Sequence, residues 1–439
     1  MKTFLIIWFG QLVSLFGTSM TRFALLIWAY QQTGNATTLA LLGFFSFILW
    51  IAFSPIAGII VDRVDRRLIM IVSDLGAGLM TLIMLLLFAN GQLQIWHLYV
   101  AEALTGGFEA FQRPAYRAAT TLLVPKKHYA RASGMRNLAL DASRVFAPFL
   151  AGLLLTVVDI DGVMLLDVAT FIVAMITLLI VRIPRPNLSA DGLAARGGWW
   201  QQLRFGFRYI IQRPGLRGLL LIFMAIQLFA NLTYFSVLPA MILARTGGDE
   251  LALGTVQASM GIGGIIGGLI LSVWGGPRRK IHAIFGATAV SFFLGDMLFA
   301  LGRNVPMWVM AGLSAAVFIP FISGANWAIW QAKVPPDVQG RVFSARAALE
   351  GIATALGYLL AGPLADQLFE PALQPGGAWI PVFSGLVGTG PGAGMAAMFL
   401  FTSIGGMLIS LSGYVFPSLR NVETDLPDYD SVLKPGAAD

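Results

Sequence analysis

Ionisable side chains inside an apolar stretch are where chemistry is sought first, because each costs a few kcal/mol in a membrane unless it is paired. The apolar run 95–120 carries four, Glu102, Glu109, Arg113 and Arg117. Their steps of seven, four and four place them on one helical face, which must look into protein or water rather than lipid. With the run 4–30 leading outward and 95–120 leading inward, Arg22 and Glu102 reach a similar depth and are expected to pair. By the same count Glu109 and Arg144 lie near the midplane, and Asp141 is three residues from Arg144. Such groups can carry a coupled proton, contact a charged substrate, or simply lock helices together. Glu109, with Arg144 near it, or Glu102 is the expected proton carrier, followed by Asp141 and Glu350.

Composition fixes the setting for these charges. The 439 residues are 57% hydrophobic and 12% charged, about half the charged share of a soluble domain, so the chain is a polytopic membrane protein. The formal charge of +7 does not point to nucleic acid, because Lys and Arg recur in short loops between apolar runs and act as topology signals. Without cysteine there is no disulfide, thiol catalysis or cysteine metal site. His97, His128 and His282 are scattered near segment ends, so no metal site or cofactor is expected. Neither a phosphate-binding Gly-x-x-x-x-Gly-Lys-Ser/Thr loop nor a His-Glu-x-x-His motif occurs. No catalytic residue is expected, and any pumping must draw on an ion gradient. Membrane lipids and a small-molecule substrate are the expected partners, and protons the coupling ion.

Twelve runs of spanning length fall at about 4–30, 36–60, 68–90, 95–120, 130–157, 162–182, 216–242, 252–275, 280–302, 305–331, 341–364 and 391–417. Basic loops alternate with uncharged or acidic ones, which places both termini in the cytoplasm of a bacterial inner membrane protein. The N-terminus runs from Met1-Lys2 into a long apolar stretch without a cleavage site and reads as a retained first span. Segment 184–215 divides the chain into six-span bundles at 1–183 and 216–418, leaving a cytoplasmic tail at 419–439. Within that linker, Trp199 to Ile211 interleaves aromatic residues with arginines and suits a helix on the anionic inner leaflet.

The halves repeat. A shift of 210 places Val124-Pro125 on Val334-Pro335, Arg131 on Arg341, Arg136 on Arg346, Gly152 on Gly362 and Gly58 on Gly268. One offset serving separate loops indicates a parallel duplication about an axis along the membrane normal. In the second half Gln227, Asn231 and Tyr234, with Asn326 and Trp327, are the expected cavity wall. Trp330 suits either that wall or an interfacial anchor.

The loop Gly58-Ile-Ile-Val-Asp62-Arg63-Val-Asp65-Arg66-Arg67 resembles the signature loop between helices 2 and 3 of the major facilitator superfamily. Gly58 suits close helix approach, Asp62 suits a helix N-terminus, and Arg63, Arg66 and Arg67 hold the turn in the cytoplasm. The resemblance implies a contact from Asp62 to the start of the eleventh span near Gln339-Gly340. Ala147-Pro148-Phe-Leu-Ala151-Gly152 resembles the antiporter motif of helix 5, with small residues for close packing and Pro148 for a bend. Helix 4 departs from the exporter pattern by carrying Glu102 where that pattern has arginine. Phrases such as Phe111-Gln-Arg-Pro-Ala115 and Val334-Pro-Pro-Asp-Val-Gln-Gly-Arg341 are similar to the bacterial branch of macrolide-efflux and enterobactin-exporter proteins.

That resemblance implies an all-α membrane protein of twelve helices in two six-helix pseudo-repeats, acting as a monomer. It implies proton-coupled export of an amphipathic small molecule, whether drug, macrolide or siderophore-like, by alternating access. The alternatives are a lipid or lysophospholipid mover of the same fold, an importer of a polar solute, and a membrane-embedded enzyme or sensor. A lipid mover would work without a proton gradient, and an enzyme would need a clustered nucleophile and base.

Overall fold

The computed structural model describes residues 1–125, 128–181, 183 and 199–426. Among these residues every regular element is a helix. Eleven helical stretches are long and apolar enough to cross a membrane. The remaining expected span is the charged one at 95–120, which forms a 29-residue helix that is less apolar over a spanning length than those eleven and carries four ionisable groups. The chain divides into two compact units, Met1–Arg196 with Ile242–Ala258, and Gly197–Met241 with Ser259–Asp439.

Six long helices build the first unit: α1 (Lys2–Thr33), α2 (Ala36–Arg63), α3 (Arg66–Ala89), α4 (Ile95–Leu123), α5 (Tyr129–Leu155) and α6 (Ile160–Ile180). Helix α2 packs along α4, α1 along α5 and α6, and α3 between α4 and α6. Lipid gives helices no hydrophobic reason to associate, so close backbone approach through small residues does that work. Gly106 of α4 marks the tightest such place, since a Cβ there would overlap the Ser46 carbonyl oxygen of α2. We expect Gly106→Ala to lower stability by about 1–3 kcal/mol, the usual cost of overpacking. Thermal unfolding in detergent checks it, with Gly107→Ala as a milder control because its Cβ position meets the Phe53 ring at 3.4 Å and the Leu49 Cβ at 3.6 Å, both ordinary contact distances.

The turn from α2 to α3 is held by capping. Asp65 accepts from the Arg67 amide at 2.9 Å, closing the start of α3. The Arg67 side chain donates to the Leu178 carbonyl at 3.0 Å and the Leu179 carbonyl at 2.6 Å, in the last turn of α6. Arg66 donates to the Ala118 carbonyl of α4 at 3.3 Å. Both arginines therefore tie helices together, with Arg67 answering the free carbonyls and negative end of α6. At the opposite end of the bundle, the His97 ring accepts from the Gln94 amide at 3.0 Å and caps α4.

The second unit begins with α7 (Trp199–Ile211) and α8 (Pro214–Thr233); α9 (Val237–Thr246) follows and passes into the first unit at Ile242, and the expected seventh span is broken at residues 234–236. Ser236 donates to the Asn231 carbonyl at 2.8 Å and satisfies a group the break releases. Helix α10 (Glu250–Trp274) starts in the first unit and continues in the second from Ser259, and it is followed by α11 (Lys280–Ser291), a π-helical turn at Phe292–Asp296, and α12 (Met297–Leu301). Two shorter helices, α13 (Val305–Ala316) and α14 (Ile319–Lys333), share the tenth span, and α15 (Pro336–Pro363) is the eleventh. Short helices α16 (Glu370–Leu373) and α17 (Ile380–Val387) lead to α18 (Ala393–Ser412).

Helix α7 forms where the amphipathic pattern places it. Part of the face expected to meet the inner leaflet is instead buried on protein: Tyr209 and Ile210 join a core with Leu216, Val342 and Trp330. A Cβ on Gly206 would overlap the Arg341 carbonyl oxygen, and the Arg341 guanidinium lies 5.6 Å from the Phe205 ring. Tyr209 and Ile210 of α7 thus serve helix packing. Beyond α18 the chain folds back onto this unit, where the Glu423 carboxylate accepts from the Lys280 and Ile281 amides at 3.1 and 3.0 Å and caps α11. The linker before residue 199 and the tail after 426 lie outside the described residues.

Candidate functional site

A cavity of about 260 Å³ opens within the first unit, walled by α1, α3, α4, α5 and α6. Its position follows from the packing: α5 lies against α1 while α4 lies against α2, which leaves space between α4 and α5. The charged face of α4 looks into that space, as its spacing requires. Glu109, Arg113 and Arg117 line it, with Arg22 of α1 and Arg136 and Arg144 of α5.

Three of these charges and Glu102 form a chain across α1 and α4. Arg22 lies 3.4 Å from Glu102 and 3.0 Å from Glu109, and Glu109 lies 2.7 Å from Arg113 one turn along α4. Glu102 faces a smaller cavity of about 40 Å³, so Arg22 belongs to the walls of both. The expected neighbour of Glu109 is corrected here. Its partners are Arg22 and Arg113, and Arg144 makes no ion pair among the described residues. Depth counts alone place Arg144 level with Glu109, but the cavity separates the two walls. Asp141 is exposed and lines neither cavity.

Two buried carboxylates in the same wall form no ion pair among the described residues. Asp74 of α3, 8% exposed, accepts from Gln11 Nε2 at 2.7 Å and from Gln112 Nε2. Gln112 also donates to Gln11 Oε1 at 3.1 Å, closing a ring of one acid and two amides over α1, α3 and α4. Asp167 of α6, 2% exposed, accepts from the Thr18 and Thr81 hydroxyls at 3.1 and 3.0 Å. Neither aspartate is singled out by sequence reasoning, although each is a lone acid in an apolar run and meets the same default for intramembrane charge. Isolated, they make no helical-face pattern, and their partners are neutral.

The second unit holds a third such acid. Asp296, in the π-helical turn, is fully buried and accepts from Thr402 Oγ1 at 2.5 Å and from the Tyr234 hydroxyl. Tyr234, expected on a cavity wall, therefore serves a buried hydrogen-bonded cluster. Asn231 is buried where α8 meets α15, a Cβ on Gly357 lying 2.7 Å from the Asn231 Cβ, and its amide donates to the Gln227 carbonyl at 2.7 Å. Asn326 is buried too, whereas Trp327 is half exposed. Glu350 pairs with Arg346 at 2.7 Å, and the Arg346 guanidinium lies 4.9 Å from both the Trp327 and Trp330 rings. Trp330 is fully buried, which removes the interfacial-anchor reading. Cation–π contact with a desolvated arginine accounts for its position.

At the helix 5 motif, α5 meets the start of α10. A Cβ on Gly152 would lie 2.9 Å from the Glu250 carbonyl oxygen, and one on Gly254 would lie 2.7 Å from that of Pro148. These two backbones touch at a separation that leaves no room for a side chain. The side-chain surroundings of Gly58, Asp62 and Arg63, and with them the contact expected of Asp62, lie outside the described residues.

Comparison with known proteins gives a consistent picture. The family profile described as Major Facilitator Superfamily matches residues 7–358. Macrolide efflux protein A of Streptococcus pyogenes is 28% identical over 83% of this chain and 90% of its own. The multidrug efflux pump Tap of Mycolicibacterium fortuitum is 23% identical over 95% of this chain and 97% of its own. Among solved structures, a bacterial homolog of the human lysosomal transporter Spinster, inward-facing and unoccupied, aligns with TM-score 0.68 at 16% identity. That alignment covers 97% of this chain and 98% of the other. The nucleoside transporter NupG aligns with TM-score 0.67 at 10% identity, over 94% and 98%.

Proposed function

The chain belongs to the Major Facilitator Superfamily, and from that premise we propose that it exports an amphipathic small molecule, driven by protons returning inward. It is a multi-pass membrane transporter and not an enzyme, as its family and relatives are. The proposed setting is a bacterial inner membrane with both termini cytoplasmic, in keeping with the basic loops. One chain holds a whole cavity, which supports a monomer as the working unit.

Asp74 is the observation that carries the coupling. Its charge is offset only by amide dipoles, in the wall of the cavity and without an ion-pair partner among the described residues. Such a carboxylate can take up a proton without breaking an ion pair and release it when its surroundings change. Glu109 would first have to give up two guanidinium contacts, and Glu102 one. Glu109 and Glu102 are thus assigned to the structural charge chain, and Asp74 to the proton.

The reading is tested by a susceptibility and accumulation panel in cells with and without the protein, repeated with a protonophore. Expressing cells should hold several-fold less of an exported compound, and the protonophore should erase the difference. Export that persists after the proton gradient collapses would refute proton coupling and favour the lipid-moving reading. No difference for any amphipathic compound would refute export.

A further inference from the structure

The charge balance of the cavity narrows the substrate. Among the described residues five arginines line it, Arg22, Arg113, Arg117, Arg136 and Arg144, against three carboxylates, Asp74, Glu109 and Asp167. Arg22 and Arg113 are engaged by glutamates. Asp74 and Asp167 are engaged by amides and hydroxyls. This leaves Arg117, Arg136 and Arg144 facing the cavity with no acidic partner among the described residues.

Their placement is regular. Arg117 lies one turn beyond Arg113 on α4, and Arg136 and Arg144 lie two turns apart on one face of α5. Arg117 is near enough to Arg136 for the like charges to act on each other. The Arg136 guanidinium lies 6.0 Å from the Tyr116 ring, whose buried hydroxyl has no hydrogen-bond partner among the described residues. Trp8, Leu15, Leu140 and Phe171 supply apolar stretches of the same wall. Like charges lining one recess in a low-dielectric surround focus their field and attract the opposite sign. Guanidinium groups bind carboxylate, phosphate or sulfonate through paired hydrogen bonds.

We infer that this cavity takes an amphipathic organic anion, its acidic group held by Arg117, Arg136 and Arg144 and its apolar body laid on the aromatic and leucine surface. A cationic substrate would meet three unneutralised guanidiniums and a repulsion already present without it. The inference rests on the transport reading of the same cavity.

Three fluorescent probes with one apolar body separate the cases: anionic dansylglycine, uncharged dansylamide and cationic dansylcadaverine. Each is titrated against the purified full-length protein in phosphatidylcholine nanodiscs, with empty nanodiscs subtracted. Dansylglycine should bind about tenfold more tightly than dansylamide or better, and dansylcadaverine most weakly. The triple variant Arg117→Gln, Arg136→Gln, Arg144→Gln should lose the preference while still binding dansylamide, and the matching lysine variant should retain it. The lysine variant and a thermal midpoint for each protein guard against a fold defect. Equal or tighter binding of dansylcadaverine, an unchanged preference in the glutamine variant, or no binding of dansylglycine would overturn the assignment. Export is read separately in cells. Selective binding without export removes the transport reading alone, and export without anion preference removes this one alone.

Discussion

Asp74→Asn is expected to abolish uphill export while leaving the protein folded and able to exchange substrate downhill. Asparagine keeps the shape of aspartate and one acceptor oxygen, so the ring with Gln11 and Gln112 can re-form by turning an amide. No cation is stranded, because none is paired with Asp74 among the described residues. What is lost is the site where a proton binds and leaves. In proteoliposomes with an imposed pH gradient, the variant should bring substrate only to equal concentrations on both sides, against several-fold accumulation by the unaltered protein. Uphill transport at the original level would remove Asp74 from the coupling step. A fall in thermal midpoint matching the fall in transport would instead make it a structural tie.

Arg22→Gln carries the other large expected effect, on stability. Arg22 is the cation between Glu102 and Glu109, and only Glu109 keeps a second partner, Arg113, when it is lost. Breaking a fully buried pair costs about 3–5 kcal/mol. The Arg22 side chain is 36% exposed to the cavities, which lowers the expectation to about 1–3 kcal/mol. Adding Glu102→Gln removes the stranded acid and leaves the balanced Glu109–Arg113 pair, so the double variant should be more stable than Arg22→Gln alone. A thermal-unfolding cycle over the two single variants and the double measures the coupling directly. If the double variant is no better than the single one, the chain of charges is not a neutralising unit.

How legible these features are in the sequence depends on the kind of pattern each leaves. The charged face of α4 was legible because steps of seven, four and four can only be one helical face, and the proximity of Arg22 to Glu102 followed from counting depth along opposed spans. Counting depth gives level but not bearing. Arg144 shares a level with Glu109 on the far side of the cavity and so makes no pair with it. Asp74, Asp167 and Asp296 leave no spacing signal, and the groups that hold them come from helices distant in sequence. The breaks at residues 234–236 and 317–318 are silent for a different reason: hydropathy runs through them unbroken, while the backbone does not. Helix α7 was visible in its amphipathic pattern, yet that pattern alone did not distinguish a lipid face from a protein one.

The charges of α4 also bear on how the protein is made. A segment with four ionised residues gains little from entering lipid by itself, since each acid or base near the centre of a span costs about 2.5–3.5 kcal/mol on insertion scales. Synthesis delivers α1, α2 and α3 first, and these already contain Arg22 for Glu102 and Glu109, Gln11 and Asp74 for Gln112, and the Ser46 backbone against which Gly106 seats. The fourth helix therefore enters a membrane in which its counter-charge and its groove have been laid down. Partition of this segment is a docking event rather than a solubility decision, and the order of helices along the chain is also the order in which each becomes able to stay.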